Sequence, residues 1–189
     1  MEIESVANIL KNAYDKGIIL IASASNRGRN RPITFPANLD YVFCIGATDG
    51  YGNRSKFVNP EKNARKEKFA TLGEAVSGTI DSNPDRHSGK LRDGTSTAAP
   101  IAAGIAALTL LLVRQIPLSP PGPENWNNMR KLFLAMSKMT AGSSYRYLTP
   151  WSLVCWKVCS SKARKACLIE DIKRILENDP GTTDGKIVV

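Results

Sequence analysis

Ser96 stands in the run Asp93 to Leu108, DGTSTAAPIAAGIAAL, where a Gly-Thr-Ser turn feeds directly into an uncharged apolar stretch. A serine at such a junction lies at a helix N-terminus, where unpaired backbone N–H groups and the helix dipole favour negative charge. An attacking alkoxide and the tetrahedral oxyanion it creates need that environment, so Ser96 is a candidate nucleophile for acyl transfer. Gly94 permits a tight turn, and Pro100 is expected in the first helical turn, where its missing N–H costs no bond. A simpler role fits the same residues, because serine and threonine are preferred caps of any helix and Ser96 would then be an N-cap. Residue type alone leaves both readings open.

Holding a serine in this way takes a helix and something for it to lie on. Thr97 to Val113 (TAAPIAAGIAALTLLLV) is apolar on every side, which predicts a fully buried helix. Ala98, Ala99, Ala102, Ala103 and Gly104 are small enough to let it approach a sheet closely. It is slightly short for a membrane span, holds Pro100 and Gly104, and follows a polar loop instead of a basic flank, so no membrane crossing is expected. Ile18 to Ala22 (IILIA) and Tyr41 to Ala47 (YVFCIGA) read as parallel strands covered on both faces. An amphipathic helix precedes the first, with Ile3, Val6, Ala7, Leu10 and Tyr14 at helical spacing and Gly17 at its end. Thr48 to Asp93 turns to Gly, Asn, Ser, Asp and Pro and predicts short strands and loops, notably over Lys68 to Ile80. The pattern is α/β.

Ile116 to Pro123 (IPLSPPGP) ends the apolar helix and divides residues 1–115 from a mostly helical extension, 116–189. Within the extension, helices are expected over Trp126 to Met139 and over Ile169 to Leu176. Tyr145 to Cys167 has no clear period, and the final DPGTTDGKIVV reads as a frayed end.

GTSTAAPIAAGIAAL resembles the Gly-Thr-Ser-x-Ala-x-Pro signature around the nucleophilic serine of subtilases. Upstream, Gly17 to Gly28 (GIILIASASNRG) is similar to the strand and turn with which that family presents its oxyanion asparagine. Phe35 to Asp49 (FPANLDYVFCIGATD) resembles the Pro-Ala loop and next strand, and Ser55 to Asn59 and Phe69 to Ile80 match further segments more loosely. The matches follow the family's order over Ile3 to Val113. The resemblance implies a subtilisin-like serine endopeptidase, a three-layer sandwich with a mainly parallel central sheet. It implies Ser96 as the acylating nucleophile and Asn26 as side-chain donor to the oxyanion, helped by the Ser96 N–H. Ser23, Ala24 and Ser25 would border the substrate pocket, with Gly94 and Thr95 beside them. Protein or peptide would be the substrate and no cofactor is required. Asp49 lies near a weak cation site of some members, so calcium enters only as an expectation that needs several further oxygens.

The departures from the family pattern are specific. Ser25 stands where the family usually has glycine, Ile101 replaces a histidine, Val58 replaces a serine, and Thr71-Leu72 interrupts an Ala-Pro. The family orders its triad Asp, His, Ser, with the first two before the asparagine. Before Asn26 there is only Asp15, at a helix end, and no histidine; the one histidine, His87, falls in SNPDRHSGK. The resemblance therefore implies the C-terminal part of a catalytic domain, truncated on its N-terminal side, with an exposed sheet edge and exposed apolar helix faces, inactive without the missing half. The alternative is a non-catalytic remnant acting as an interaction module.

Bulk composition limits the other classes. The chain has 189 residues, 42% hydrophobic and 23% charged, an ordinary globular balance. Net charge is +9, but the Lys and Arg are scattered without an aromatic platform, so nucleic acid is not an expected partner. Cys44, Cys155, Cys159 and Cys167 form no CxxC pair, which predicts plain thiols instead of a zinc site or a disulfide framework. Met1 to Asp15 has no basic start followed by an apolar run, so it does not read as a secretory signal, although secretion is common in the family; the compartment is left open.

Overall fold

The computed structural model describes residues 2–28, 32–60, 67–77, 91–114, 126–140, 143–153 and 161–177. The amphipathic N-terminal segment forms α1 (Glu2–Asp15). Its Tyr14 ring meets Tyr41, whose hydroxyl donates to the Ala7 carbonyl at 3.1 Å. The apolar runs then form β1 (Leu20–Ser23) and β2 (Val42–Thr48), paired in parallel with Leu20 opposite Val42. β3 (Lys68–Leu72) continues the parallel sheet, with Ile45 opposite Phe69. β4 (Val76–Ser77) and β5 (Leu91–Arg92) make a separate antiparallel pair. Next come α2 (Thr95–Val113) and α3 (Trp126–Ala135), then β6 (Ser137–Met139), β7 (Tyr145–Leu148) and α4 (Ser161–Glu177). The sheet order is β1-β2-β3-β7-β6, parallel except for β6. This is the α/β three-layer architecture with a mainly parallel central sheet that the sequence predicts.

α2 lies over β1, β2 and β3. It can do so because its contact stripe is small: Ala98, Ala102 and Ala106 are buried, and the Thr71 hydroxyl donates to the Ala98 carbonyl at 2.7 Å. The departure from Ala-Pro at Thr71 thus supplies a tie between helix and sheet. Elsewhere the core is aromatic, with Phe43 and Phe69 against Phe133 of α3 and Trp126 stacked on Phe43. At Gly46, a Cβ would lie 2.6 Å from the Tyr145 ring, so only glycine lets β7 bury that tyrosine over β2.

Several expectations need correction. The helix over Thr97 to Val113 is not fully buried: Leu108, Leu111 and Leu112 are 64%, 57% and 43% exposed. Its inner stripe touches the sheet, while no described residue covers its outer side. The run IILIA is likewise only half covered, because β1 is a sheet edge. The helix expected over Trp126 to Met139 stops at Ala135, since Ser137 to Met139 pair with β7 and the Thr149 N–H reaches the Met136 carbonyl at 2.7 Å. Tyr145 to Leu148, without a readable period, is a strand beside β3. The sheet therefore extends across the 115/116 division. His87, Cys155, Cys159, the proline-rich break and the chain's last residues lie outside the described residues.

Candidate active site

β1 delivers Ser23 to a turn through Ala24, Ser25 and Asn26, while β5 and Gly94 deliver Ser96 to the first turn of α2. Both segments meet beyond the carboxyl ends of β1, β2 and β3, where parallel α/β sheets form clefts. The Gly94 N–H donates to the Gly73 carbonyl at 2.8 Å, and the Gly73 N–H to the Thr48 carbonyl at 2.9 Å, tying this turn to the ends of β3 and β2. Thr97 secures the turn by donating its hydroxyl to the Gly94 carbonyl at 2.7 Å.

Ser96 and Asn26 come together over Gly94. A methyl carbon built on Gly94 would sit 3.0 Å from Asn26 Nδ2 and 3.1 Å from Ser96 Oγ, so both polar atoms flank one point in space. Gly94 has φ 152°, a conformation that side-chain-bearing residues rarely adopt. Glycine is needed there for its backbone and because a side chain would press on Asn26 Nδ2 and Ser96 Oγ; Gly94 itself is buried. Both Ser96 and Asn26 are exposed.

The Asn26 amide is oriented by Thr95. Its Oδ1 accepts from the Thr95 N–H at 2.8 Å and from the Thr95 hydroxyl at 2.9 Å. With the oxygen thus occupied by donors, the NH₂ group is the end turned toward Ser96. The Ser96 N–H has no acceptor among the described residues. Two donors, that N–H and Asn26 Nδ2, therefore stand beside the serine hydroxyl at the positive end of α2.

Two expectations about Ser96 and its helix change. Gly94, not Ser96, is the N-cap, and no side-chain cap bond is made, so Ser96 lies inside the first turn with its hydroxyl free of a capping role. Pro100 is inside the helix, past the first turn. Lacking an N–H, it leaves the Ser96 carbonyl without the usual bond from four residues on. Of the residues expected to border substrate, Ser23 and Ser25 are half-buried, but Ala24 is 3% exposed and belongs to the core. Thr95 is 2% exposed and turned to Asn26 instead of to open space. Ser25 has φ 94°, which explains why glycine suits this position better.

Ser96 also lines an open cleft of ≈ 620 Å³ together with Leu91, Arg92, Asp93 and Thr97. Apart from Ser96, the sequence gives no signal for its walls, because β4 and β5 are too short to read. Asp93 accepts from the Ala75 N–H at 2.7 Å, joining the loop after β3 to this cleft.

Asp49 has a local task. Its carboxylate accepts from the N–H groups of Tyr51 and Asn53 and from the Asn53 amide, each at 2.9 Å. The Asn53 side-chain bond chiefly holds its pKa below the usual carboxylate value. Among the described residues, no group of three or more His, Cys, Asp or Glu is arranged to hold a metal ion.

Comparison with known proteins gives the family and the fold. Residues 2–145 match the model of the subtilase family, Peptidase S8. The chain is 37% identical over 113 residues to subtilisin DY of Bacillus licheniformis, covering 56% of this chain and 39% of that protein. It is 31% identical over 103 residues to an extracellular basic protease of Dichelobacter nodosus, covering 53% of this chain and 17% of that protein. Among solved structures, the prenylagaramide maturation protease PagA superposes with a TM-score of 0.60 at 21% identity, over 91% of this chain and 55% of its own. The PatG macrocyclase in complex with peptide gives a TM-score of 0.52 at 22% identity, over 89% and 46%. The chain thus spans less than half the length of these two curated relatives and about half of these solved chains.

Proposed function

The chain belongs to the subtilase family, and from that premise we propose that it is the serine-bearing part of a serine-type endopeptidase, with Ser96 as nucleophile and Asn26 as oxyanion donor. What supports the reading is the shared approach of Ser96 Oγ and Asn26 Nδ2 to one point over Gly94. A peptide carbonyl set there has its carbon within reach of Oγ and its oxygen facing Nδ2 and the Ser96 N–H. Attack forms the C–O bond and moves the carbonyl electron pair onto oxygen, where those donors and the N-terminus of α2 stabilise it. Collapse expels the amine and leaves the acyl group on Ser96, which water then hydrolyses.

The attack also requires a base to take the hydroxyl proton, because a serine is a weak nucleophile without one. No histidine precedes Asn26 in these 189 residues. In subtilisin, a member of this family, loss of the histidine lowers kcat by about 2 × 10⁶. The base and its orienting carboxylate therefore come from a further polypeptide segment, and the 189 residues alone are silent.

A fluorophosphonate probe tests this reading. The isolated chain should remain unlabelled, and addition of an Asp- and His-bearing subtilase segment should give one adduct, on Ser96, that Ser96→Ala abolishes. Rapid labelling of the isolated chain would refute the dependence on a second segment, and labelling elsewhere would refute the nucleophile.

A further inference from the structure

We infer that Arg92 makes the cleft beside Ser96 a subsite for an acidic side chain, so that peptides carrying aspartate or glutamate close to the bond that is cut are the preferred substrates. The inference rests on the acyl-transfer reading above and names the substrate class that reading leaves open.

Ser96 is itself a wall of this cleft, so a peptide whose carbonyl carbon reaches Ser96 Oγ lays one of its neighbouring residues against the same walls. No residue of the turn Ser23 to Asn26 lines it, which sets it apart from the pocket expected at that turn. The segment that carries Arg92 is held on both sides. Arg92 stands opposite Val76 in the β4 and β5 pair, and two residues later the Gly94 N–H donates to the Gly73 carbonyl at 2.8 Å. Its backbone is thereby fixed relative to the nucleophile, which a residue that selects substrate requires.

Two charged side chains line the cleft, and they are committed differently. Asp93 accepts from the Ala75 N–H at 2.7 Å, a bond that ties its carboxylate to the loop after β3. Arg92 is exposed and forms no ion pair or hydrogen bond among the described residues, so its guanidinium donors are open to a ligand. Glu74, in that same loop, does not line the cleft. A planar guanidinium binds both oxygens of a carboxylate at once, whereas a basic substrate side chain meets it as a like charge. Leu91, 61% exposed, offers apolar contact to the methylene groups that carry such a carboxylate. The N-terminus of α2, on which Ser96 stands, adds positive potential. Asp93 and the surrounding water work against the pair, so the preference is modest, about threefold to tenfold.

The test is peptide cleavage by the 189-residue chain joined by an Asp- and His-bearing subtilase segment, with one parent peptide in which each residue flanking the cleaved bond is in turn Glu, Gln or Lys. At a flanking position, kcat/KM for Glu should exceed that for Gln about threefold to tenfold, and that for Lys by more. Salt at about 1 M, where the screening length falls to about 3 Å, should level the three. Arg92→Glu should reverse the order and put Lys ahead of Gln. Arg92→Lys should keep Glu ahead by a smaller ratio, because it retains the charge and loses the planar fork. Each ratio is taken within one variant, so a general loss of activity cancels, as does any charge that the added segment brings. A Glu-to-Gln ratio near one at every position, or a preference that Arg92→Glu leaves unchanged, would overturn the subsite while cleavage at Ser96 keeps the acyl-transfer reading standing. A preference for Lys would assign the cleft to Asp93 and overturn it as well. Cleavage that persists in Ser96→Ala, or no cleavage of any peptide, would instead remove the acyl-transfer reading and the subsite with it.

Discussion

Asn26 Oδ1 accepts both the backbone N–H and the hydroxyl of Thr95, at 2.8 and 2.9 Å, across 69 residues of sequence. The bond pair does two things at once. It satisfies an N–H at the start of α2, and it turns the Asn26 amide so that its donor end faces Ser96. The two halves of the site are thereby held to each other independently of substrate.

Asn26 variants separate its two atoms. In the complex with a base-bearing segment, Asn26→Ala should lower kcat by about 10² to 10³, the size known for losing this donor in subtilisin, a relative of this chain. Asn26→Asp should lose a comparable factor while keeping the bonds to Thr95. Thermal melts alongside steady-state kinetics would show aspartate close to wild type in stability and alanine below it; equal activity of Asn26→Asp and wild type would remove the donor role.

Thr95→Val removes one of the two bonds that orient the amide. It should lower kcat about tenfold, or about 1.4 kcal/mol in the barrier, with KM nearly unchanged. Thr95→Ser should restore it. A rise in KM with constant kcat would mean that Thr95 acts on substrate binding instead of on Asn26.

Gly94→Ala puts a methyl group where the carbonyl must sit and forces an unfavourable φ. The expected loss of stability is about 1 to 3 kcal/mol in chemical denaturation. Fluorophosphonate labelling of Ser96 in the complex should disappear even under conditions where the variant is fully folded.

Ser25→Gly should act in the other direction. Relief of the φ 94° conformation outweighs the added freedom of glycine in the unfolded chain, for a net gain of about 1 kcal/mol in urea denaturation. A loss of stability would mean that the Ser25 side chain makes a contact outweighing the backbone strain.

The Glu67 and Arg130 pair, which links the entry to β3 with α3, sets a pH dependence. Arg130 Nε donates to Glu67 Oε2 at 2.9 Å, and its Nη2 bonds the other carboxylate oxygen. Burial pushes the Glu67 pKa up, but the bond and charge of Arg130, a backbone hydrogen bond and the charge of Arg146 together outweigh it, and the net value falls below the ordinary 4.5. A carboxyl depressed on folding stabilises the protein above its unfolded pKa, and that stability is lost as pH falls through the folded value. Unfolding free energies of wild type and Glu67→Gln from urea titrations should therefore differ by about 0.5 to 1 kcal/mol at pH 7 and converge at acid pH below both pKa values. A constant difference would assign the effect to packing.

The sheet was legible where composition and coverage agree: YVFCIGA reads as a central strand and is buried at every position of β2. Serine and asparagine were legible because each sits in a short local motif. Thr95 as the residue that aims Asn26 was not, since its partner is remote in sequence and no local pattern distinguishes that role from capping. β6 and β7 were missed for a similar reason. YRYL and SKM are too short to show a period and become strands only because β3 presents them with an edge. The leucines of α2 mark the converse case, a pattern that asks for cover the described residues do not provide.

The most direct measurement is a crystal structure of the chain, joined by its base-bearing segment, with a peptide boronic acid. A tetrahedral boronate should be bonded to Ser96 Oγ, with one of its oxygens within hydrogen-bond distance of both Asn26 Nδ2 and the Ser96 N–H. A boronate bound to another residue, or one on Ser96 whose oxygens all point away from Asn26, would contradict it.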